Sequence, residues 1–389
     1  MRARHVIAAG AAIAATALMT AACGSSSSSS GGSSGSGSSS GAASSVNYAT
    51  CGTLAQCGGM TALVAAAKKE GVLNVITLPS NWANYGTIMS DFQKQYGIKI
   101  TDENPDGSSQ DELNAIAQLK GQSREPDVVD VGTAFAVKGD QSGDWAPYEV
   151  QTWSNIPADA KASNGDWYAD YGGYVAIGYN PAKVKVAPTS FKSLLNPVYK
   201  NEVGINGNPT QAGAAFAAVY AAALANGGSL SNIAPGVSYF KQLHQVGNFV
   251  PVTGSESTVQ SGQTPILIWW DYLLASEVKP DIPGFKIVIP SDAQYEAYYD
   301  QAISKYAPDP AAARLWEEYL YSTAGQNLWL AGETRPIELP ALVSSNSQNA
   351  SAYSALPALP SGSTASLATT TQQAAAETIV SQQWASVSG

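Results

Sequence analysis

Short apolar runs typical of strands alternate along this chain with segments of helical periodicity. The first strand patterns lie at 73–78, 98–100 and 127–132. Between the first two, apolar residues recur at spacings of three and four and form one helix face, made of Tyr85, Ile88, Met89, Phe92 and Tyr96. This alternation predicts an α/β fold with a mainly parallel sheet covered on both faces. Ligands in such sheets bind where strands end, so we expect 79–85 and 132–135 to lie near a ligand.

A second group of strand patterns lies at 174–179, 202–205, 265–268 and 284–290. The turn at 206–213 is rich in Gly, Asn and Thr and precedes an Ala-rich helix that runs to Asn226. Free N–H groups at such a turn either accept an anion or only cap the helix. A chain of this length buries one large core or two smaller ones, and we expect two lobes.

Several helix boundaries have sequence signatures. Ser109 and Glu112 predict a capping box for a helix that runs through Lys120. Asp309 as N-cap, with Pro310 at the first helical position, predicts a later helix. We expect Tyr298 and Tyr299 to lie in the first turn of a helix after the strand at 284–290. A last helix at 371–384 is expected to pack on the first lobe.

The N-terminus predicts export. Arg2 and Arg4 precede an uncharged apolar run at 6–19, and small residues then lead to Cys23. We interpret 1–22 as a signal peptide. The apolar run at 6–19 is too short for a membrane span, which needs about 20 apolar residues. The cysteine resembles the lipobox of bacterial lipoproteins, with Thr20 at a position that is usually aliphatic; the alternative is a plainly secreted protein. Since Gly, Ser and Ala make up 24–45, we interpret 23–46 as a lipidated cysteine and a flexible linker.

The two cysteines beyond Cys23 are Cys51 and Cys57. In an oxidising compartment such a pair predicts a disulfide at the start of the fold. Zinc sites need about four ligands, and His244 is the one histidine outside the signal peptide. The sequence therefore predicts no metal site, no cofactor and no His-dependent triad.

The chain is acidic, with 30 Asp and Glu against 20 Lys and Arg and a formal net charge of −10. This composition argues against nucleic acid as a partner, because such binding requires Lys and Arg to neutralise phosphates. It mildly favours cationic ligands, although acidity by itself also keeps a protein soluble.

A set of segments in the last third of the chain carries a family resemblance. They lie at 290–295, 301–310, 312–316, 319–322, 325–326, 329–330 and 335–336. Together they resemble the C-terminal signature of solute-binding proteins of bacterial ABC importers, in the type II group that includes ferric-iron, phosphonate, thiamine and polyamine binders. The similarity extends over roughly 63–340, through 68–73, 126–130, 179–181 and 208–213.

The resemblance implies a two-lobed type II periplasmic-binding-protein fold, with a hinge of crossover strands and a ligand cleft that closes by hinge motion. Lobe 1 would comprise 47–175 and 285–389, with 309–331 as a segment that can pack on lobe 2, and lobe 2 would comprise 176–284. It also implies a monomeric protein without enzymatic activity. Such a protein stays on the extracellular face of the cytoplasmic membrane through its lipid anchor and delivers a small-molecule solute to an ABC permease.

The solute is predicted from the loops of the cleft. In the ferric-iron binders two adjacent tyrosines follow a second-lobe strand and ligate the metal, whereas Trp269 and Trp270 hold that place here. With Asp271 and Tyr272 beside them, they suit a polyamine-like organic cation, through cation–π contacts and charge-assisted hydrogen bonds. Asp271 as a plain helix N-cap is the alternative. The predicted ligand-binding residues are Ser80, Asn81, Trp82, Thr133, Tyr171, Thr210, Gln211, Gly213, Trp269, Trp270, Asp271, Tyr272 and Tyr295.

Two further functions stay open. A phosphonate or other anion would use the turn at 208–213, with Ser80 across the cleft. A surface-anchored hydrolase would use a carboxylate pair; the chain has no Gly-x-Ser-x-Gly motif for a serine nucleophile.

Overall fold

The computed structural model describes residues 46–360 and 367–387. Its helices are α1 Met60–Glu70, α2 Tyr85–Tyr96, α3 Ser109–Leu119, α4 Thr133–Ser142, α5 Gly213–Ala225, α6 Ala234–Gln245, α7 Glu256–Ser261, α8 Asp271–Leu273, α9 Pro310–Leu320, α10 Thr323–Ala331, α11 Leu339–Ser344, α12 Ala350–Ala355 and α13 Thr370–Gln383. Its strands are β1 Val72–Ile76, β2 Lys99–Glu103, β3 Val128–Gly132, β4 Trp145–Ala146, β5 Tyr168–Tyr179, β6 Val203–Ile205, β7 Phe249–Thr253, β8 Ile266–Trp270, β9 Lys286–Val288, β10 Glu296–Ser304 and β11 Arg335–Pro336. A π turn, Leu274–Val278, continues α8. The predicted signal peptide, Cys23 and the linker up to Ser45 lie outside the described residues.

The capping box of α3 lies one residue earlier than predicted. Ser108 is the N-cap, and its partner is Asp111. The predicted pair has a tertiary role instead: the Ser109 hydroxyl accepts the N–H of Gly132 at 3.2 Å, and the Glu112 carboxylate accepts the N–H of Asp130 at 3.0 Å. Both side chains therefore hold α3 against the end of β3.

The main sheet is mixed, so the prediction of a mainly parallel sheet was wrong. Its strand order is β3-β10-β5-β8-β6-β7, with β4, β9 and β11 attached to β10 or β5. β6 pairs in parallel with β7 and β8, whereas β10 and β5 pair antiparallel with their neighbours. The two strands that cross between the lobes, β5 and β10, run antiparallel to their neighbours at the centre of the sheet. β1 and β2 form a separate parallel pair.

The long strand β5 connects the two lobes. Its first half, 168–174, pairs with β10, and its second half, 175–179, pairs with β8. Gly173 lies at the change of partner, where a Cβ atom would stand 2.4 Å from the Asp271 carboxylate. Glycine therefore lets the crossover strand pass close beside α8.

β5 changes its pairing partner between Tyr174 and Val175. We propose 47–175, the range expected from the sequence, as the start of lobe 1 on this basis. β9 pairs with 177–179, so we propose that lobe 2 continues past 284 to Val288. The segment 309–331 packs on lobe 1: α9 lies against α1, and Trp316 contacts Phe92 of α2 with ring centroids 5.1 Å apart.

The start of the fold is attached to α9. Cys51 and Cys57 form the predicted disulfide, and the Arg314 guanidinium donates to the Cys51 carbonyl at 2.8 Å. Asp309 is the N-cap residue of α9 as predicted, but its side chain makes no capping bond. The carboxylate of Glu70 caps α9 instead, because it accepts the N–H groups of the first turn, at 2.7 Å for the closer one.

The last helix, α13, packs on both lobes rather than on the first alone. It contacts α4 of lobe 1 and α6 of lobe 2. On lobe 2, the Tyr220 hydroxyl donates to the Gln372 carbonyl at 3.1 Å, and Trp384 lies 5.5 Å from Phe240 between ring centroids.

Within the described residues, no helix has the length and apolar composition that a membrane span requires.

Candidate functional site

A cavity of about 600 Å³ lies between the two lobes. Lobe 1 supplies the loop after β1, the loop before α3 and Asp130 of β3, while lobe 2 supplies the turn before α5, the start of α7, Trp269 and Glu277. Tyr299 of the crossover strand β10 also lines it. These segments are the ends of strands and the starts of helices, which is where an α/β sheet offers side chains to a ligand.

Aromatic rings from both lobes meet in the cavity. Trp82 of lobe 1 lies edge to face with Trp269 of lobe 2, with ring centroids 5.8 Å apart. Trp82 makes a similar contact with Tyr299 at 5.7 Å. All three rings line the cavity, so a ligand that enters it contacts aromatic surface from both lobes.

A chain of hydrogen bonds connects Trp82 to Asp130 through Tyr171. The Trp82 indole N–H donates to the Tyr171 hydroxyl at 2.7 Å, and that hydroxyl donates to Oδ2 of Asp130 at 2.9 Å. Tyr85 donates to the same oxygen at 2.8 Å. The short helical turn that carries Trp82 has positive φ angles at Ala83 and Asn84, 46° and 66°. Such backbone is sparsely populated in proteins and is often found at functional sites.

Asp130 is the most deeply buried carboxylate of the cavity wall after Glu112. It is 6% exposed, and no hydrogen-bond donor among the described residues reaches its Oδ1. Burial raises the pKa of Asp130 to about 7, while hydrogen bonds from Tyr85, Tyr171 and Asp170 oppose that rise. The carboxylate of Asp170 lies beside it, and burial followed by the charge of Asp130 raises the pKa of Asp170 well above its usual range. The Asp130 carboxyl group, with Asp170 beside it, thus lines the same cavity as the aromatic rings.

The other charged groups of the cavity are also acidic. The cavity-lining acids are Asp106, Asp111, Glu112, Asp130, Glu256 and Glu277, and no Lys or Arg lines the part of the cavity that the structure describes. Burial raises the pKa of Glu277 to about 8, and the negative charge of Glu256 adds to the rise. The described wall thus has acidic groups and no fixed positive charge, which favours a cationic ligand over an anion.

The turn at 206–213 also lines the cavity. Its Asn208 side chain accepts the N–H of Thr210 at 3.0 Å, so part of its polar capacity is used within the turn. The Gln211 carbonyl accepts the N–H of Gln110 across the cleft at 3.1 Å. At the start of α3 the Asp111 carboxylate accepts the N–H of Ser108 at 2.9 Å, and an acidic side chain at this helix start disfavours an anion there.

The structure brings together some of the residues predicted from the sequence and separates others. Five line the cavity: Asn81, Trp82, Gln211, Gly213 and Trp269. The others do not: Ser80, Thr133, Tyr171, Thr210, Trp270, Asp271, Tyr272 and Tyr295. Of these, Tyr171 still supports the site, through its bonds to Trp82 and Asp130.

Asp271 is engaged elsewhere, which corrects the expectation that it binds an ammonium group. It is fully buried, and its carboxylate pairs with the Arg335 guanidinium at 2.6 Å and accepts the N–H of Tyr174 at 2.8 Å. β8 extends to Trp270, two residues beyond the predicted strand. Asp271 therefore begins α8 and faces the crossover strand β5 instead of the cavity.

The same strand end explains the different positions of the two tryptophans. Successive residues of a strand point to opposite faces, so Trp269 lines the cavity while Trp270 lies behind it, stacked on Tyr272 with ring centroids 6.1 Å apart. Tyr295 stacks on Tyr220 at 4.9 Å, also away from the cavity.

The helix expected at Tyr298 and Tyr299 is instead strand β10. Tyr299 lines the cavity, whereas the Tyr298 hydroxyl donates to Glu296 at 3.1 Å. Sequence reasoning also missed Asp130 and Glu277. Asp130 lies near the carboxyl end of a strand that the sequence did predict, and that position was the available signal.

The described residues contain no group of three or more His, Cys, Asp or Glu side chains that could hold a metal ion.

Comparison with known proteins identifies the family. A family model for bacterial extracellular solute-binding proteins matches residues 124–360. The chain belongs to this family. Solute-binding proteins of this family deliver their ligand to an ABC permease, and they act outside the cytoplasm. A comparison with curated protein sequences finds no match.

Solved structures of solute-binding proteins share the fold. A periplasmic binding protein of Actinobacillus pleuropneumoniae with bound fructose-6-phosphate is 20% identical, with a TM-score of 0.59 over 69% of this chain and 86% of that chain. Iron-bound HitA of Pseudomonas aeruginosa is 18% identical, with a TM-score of 0.61 over 81% and 99%. A Listeria monocytogenes protein, provisionally assigned as a spermidine/putrescine ABC transporter, is 13% identical, with a TM-score of 0.59 over 80% and 98%. The predicted α/β two-lobed fold is confirmed.

Proposed function

We propose that this solute-binding protein captures a polyamine-like organic cation and releases it unchanged to an ABC permease. One observation carries the proposal: the cavity combines two tryptophans and a tyrosine with six acidic side chains, and no Lys or Arg lines its described part. An ammonium group gains about 0.5–2 kcal/mol from each aromatic face and more from a desolvated carboxylate. Because micromolar affinity requires about 8 kcal/mol, a few such contacts with burial of the carbon chain suffice.

The carboxylate that we assign to the ammonium group is Asp130. It is buried, its Oδ1 has no donor within hydrogen-bond distance among the described residues, and Tyr85 and Tyr171 both donate to its Oδ2. A cation in front of this oxygen would satisfy it and would lie against the rings of Trp82 and Trp269. The predicted residues Asn81, Gln211 and Gly213 complete the wall around such a ligand.

An anion is the second candidate, because the turn at 206–213 lines the cavity and leads into α5. The six acidic side chains oppose this reading. For ferric iron, the two adjacent tyrosines of β10 do not converge, since Tyr298 bonds to Glu296 and only Tyr299 lines the large cavity.

The location and assembly follow as parts of the same proposal. Cys23 would carry a lipid that keeps the protein at the outer face of the cytoplasmic membrane, and a single copy would serve the permease. The protein would bind its solute without chemistry, and recovery of intact solute after prolonged incubation tests this against the carboxylate-pair hydrolase.

A thermal-shift panel tests the ligand class. Putrescine or spermidine at 100 times Kd should stabilise the protein by about 2.7 kcal/mol. Trp269→Ala should remove most of the shift, while Trp153→Phe, a change outside the cavity, should leave it intact. No shift with any polyamine, together with a shift from aminoethylphosphonate or a sugar phosphate, would refute the cation assignment in favour of the anion.

A further inference from the structure

Two glycines bring the backbones of the two lobes into contact beside the cavity. Gly132 is the last residue of β3 in lobe 1, and Gly213 is the first residue of α5 in lobe 2. A Cβ atom at Gly132 would stand 3.0 Å from the Gly213 Cα, and a Cβ atom at Gly213 would stand 3.1 Å from the Gly132 Cα. Carbon atoms in ordinary contact are about 3.5–4.0 Å apart. The lobes therefore approach more closely here than a side chain on either residue would allow.

The local backbone does not require glycine at either position. Gly132 has φ −62° and ψ 146°, values that other residues adopt without strain. Gly213 has no positive φ, and alanine is more favourable than glycine in a helix. The constraint that a methyl group would violate at both positions is the clearance between the lobes.

A hydrogen bond crosses the cleft close to the two glycines. The N–H of Gln110 donates to the Gln211 carbonyl at 3.1 Å. Gln110 lies in the first turn of α3, where N–H groups have no acceptor within the helix. Its N–H is therefore protected by the other lobe. The neighbouring Ser109 hydroxyl accepts the N–H of Gly132, so the start of α3 is connected to both contacts between the lobes.

The glycine contact also lies next to a crossover strand. Gly132 pairs with Tyr299 of β10, and the Tyr299 hydroxyl would lie 3.5 Å from a Cβ atom at Gly213. An added methyl group would force the lobes apart by roughly 0.5–1 Å at this point. Because the crossover strands form the hinge, such a separation beside them becomes a larger gap in the parts of the cleft that are farther from them.

We propose that Gly132 and Gly213 are positioning residues whose contact, the closure stop, sets how far the cleft closes and thereby the affinity for the solute. The inference rests on the proposed function, in which closure traps the solute, but it holds for a solute of either charge. With a methyl group at the stop, fewer molecules reach the arrangement in which both lobes contact the ligand. The apparent Kd rises as the fraction of such molecules falls.

Isothermal titration of the full chain with putrescine tests the closure stop. In Gly132→Ala the new methyl group lies outside the cavity, and the Kd should still rise about fivefold or more. Gly213→Ala should show a similar loss while it melts no lower than the wild-type protein, because alanine favours the helix. Gly52→Ala is the matched control: its methyl group would lie outside the cavity, with the Gln56 side chain as its nearest neighbour at 3.4 Å. This control should leave the Kd unchanged.

Hydrogen exchange of the Gln110 N–H follows closure without any solute. In the ligand-free protein this N–H should exchange faster in Gly132→Ala and Gly213→Ala than in the wild type and in Gly52→Ala. An unchanged Kd or an unchanged exchange rate in both cleft variants would overturn the closure stop. A lower melting temperature in Gly213→Ala would also overturn it, because the glycine would then serve the packing of its own lobe.

Failure of the closure stop and failure of the proposed function are distinguishable. If putrescine binds none of these proteins, the wild type included, the proposed function is overturned, while the exchange of the Gln110 N–H still decides the closure stop. If Gly132→Ala does not fold, Gly213→Ala gives the same comparison of exchange rates, and equal rates in that variant and the wild type would overturn the stop.

Discussion

The buried ion pair of Asp271 and Arg335 allows a direct test of whether Asp271 serves the fold or the ligand. Its atoms lie 2.6 Å apart, and the side chains of Arg335 and Asp271 are 8% and 0% exposed. In Asp271→Asn the guanidinium stays charged, because it does not lose its proton in proteins. Removal of one partner from a buried pair costs about 3–5 kcal/mol. We expect the free energy of unfolding to fall by about this amount, while the Kd for putrescine changes less than threefold.

Arg335→Met should behave differently, because the acid that remains can bind a proton. Burial raises the pKa of Asp271 even though Arg335 and the Tyr174 N–H lower it. Without Arg335 the pKa rises further, so the folded state holds a proton that the unfolded chain releases near a pH of about 3.9. The folded state then binds more protons than the unfolded state, and stability falls as the pH rises. The deficit of Arg335→Met should be smaller at pH 5 than at pH 8.

Urea unfolding at both pH values measures these deficits for the single variants and for the double variant. Lys94→Met is a suitable control, because Lys94 pairs with Asp91 at an exposed site, where ion pairs contribute about 0–1 kcal/mol. The two buried substitutions should be strongly non-additive. A deficit for Asp271→Asn no larger than that of the control, or a tenfold loss of putrescine affinity in the folded variant, would show that our assignment of Asp271 is wrong.

Three further predictions concern the cavity, α3 and α13. Burial raises the pKa of Asp130 to about 7, and in our proposal its ionised form binds the cation. The affinity for putrescine should therefore fall up to tenfold per pH unit below about 7. In titrations from pH 5 to 8, the affinity of Asp130→Asn should depend less on pH than that of the wild-type protein. Ser108→Ala should cost about 0.5–2 kcal/mol in urea unfolding through loss of the α3 cap, and an unchanged midpoint would contradict the capping box. Trp384→Ala removes the ring contact with Phe240, so hydrogen exchange in α13 should quicken while exchange in α9 stays the same.

The strands and helices of the cleft were largely predictable, whereas their exact ends were not. The strand at 265–268 was predicted correctly as a strand, but the end of β8 at Trp270 depends on its pairing with β5. Because the strand includes Trp269 and Trp270, their side chains point to opposite faces, and Trp269 lines the cavity while Trp270 does not. The same strand end also places Asp271 against Arg335, which lies far along the chain and which no local pattern connects to it.

The acidic side chains of the cavity illustrate the same limit. Asp130, Glu256 and Glu277 come from separate segments, and each lies among 30 acidic residues of similar local context. Nothing in their spacing distinguishes them from solvated surface acids. Only packing identifies them, because burial and the absence of a donor depend on the neighbours that tertiary contacts bring together.

The sequence by itself determined the alternation of strands and helices, the Cys51–Cys57 pairing and the family, because each depends on local composition or on motifs read along the chain. The tertiary structure alone decided which side chains face the cleft. Strand pairing sets the alternation of side chains between the two faces of the sheet, and the crossover strand β5 brings residues of both lobes to one cavity. Of the predicted aromatic residues, Trp82 and Trp269 line that cavity, and in our proposal the carboxylate role passes from Asp271 to Asp130.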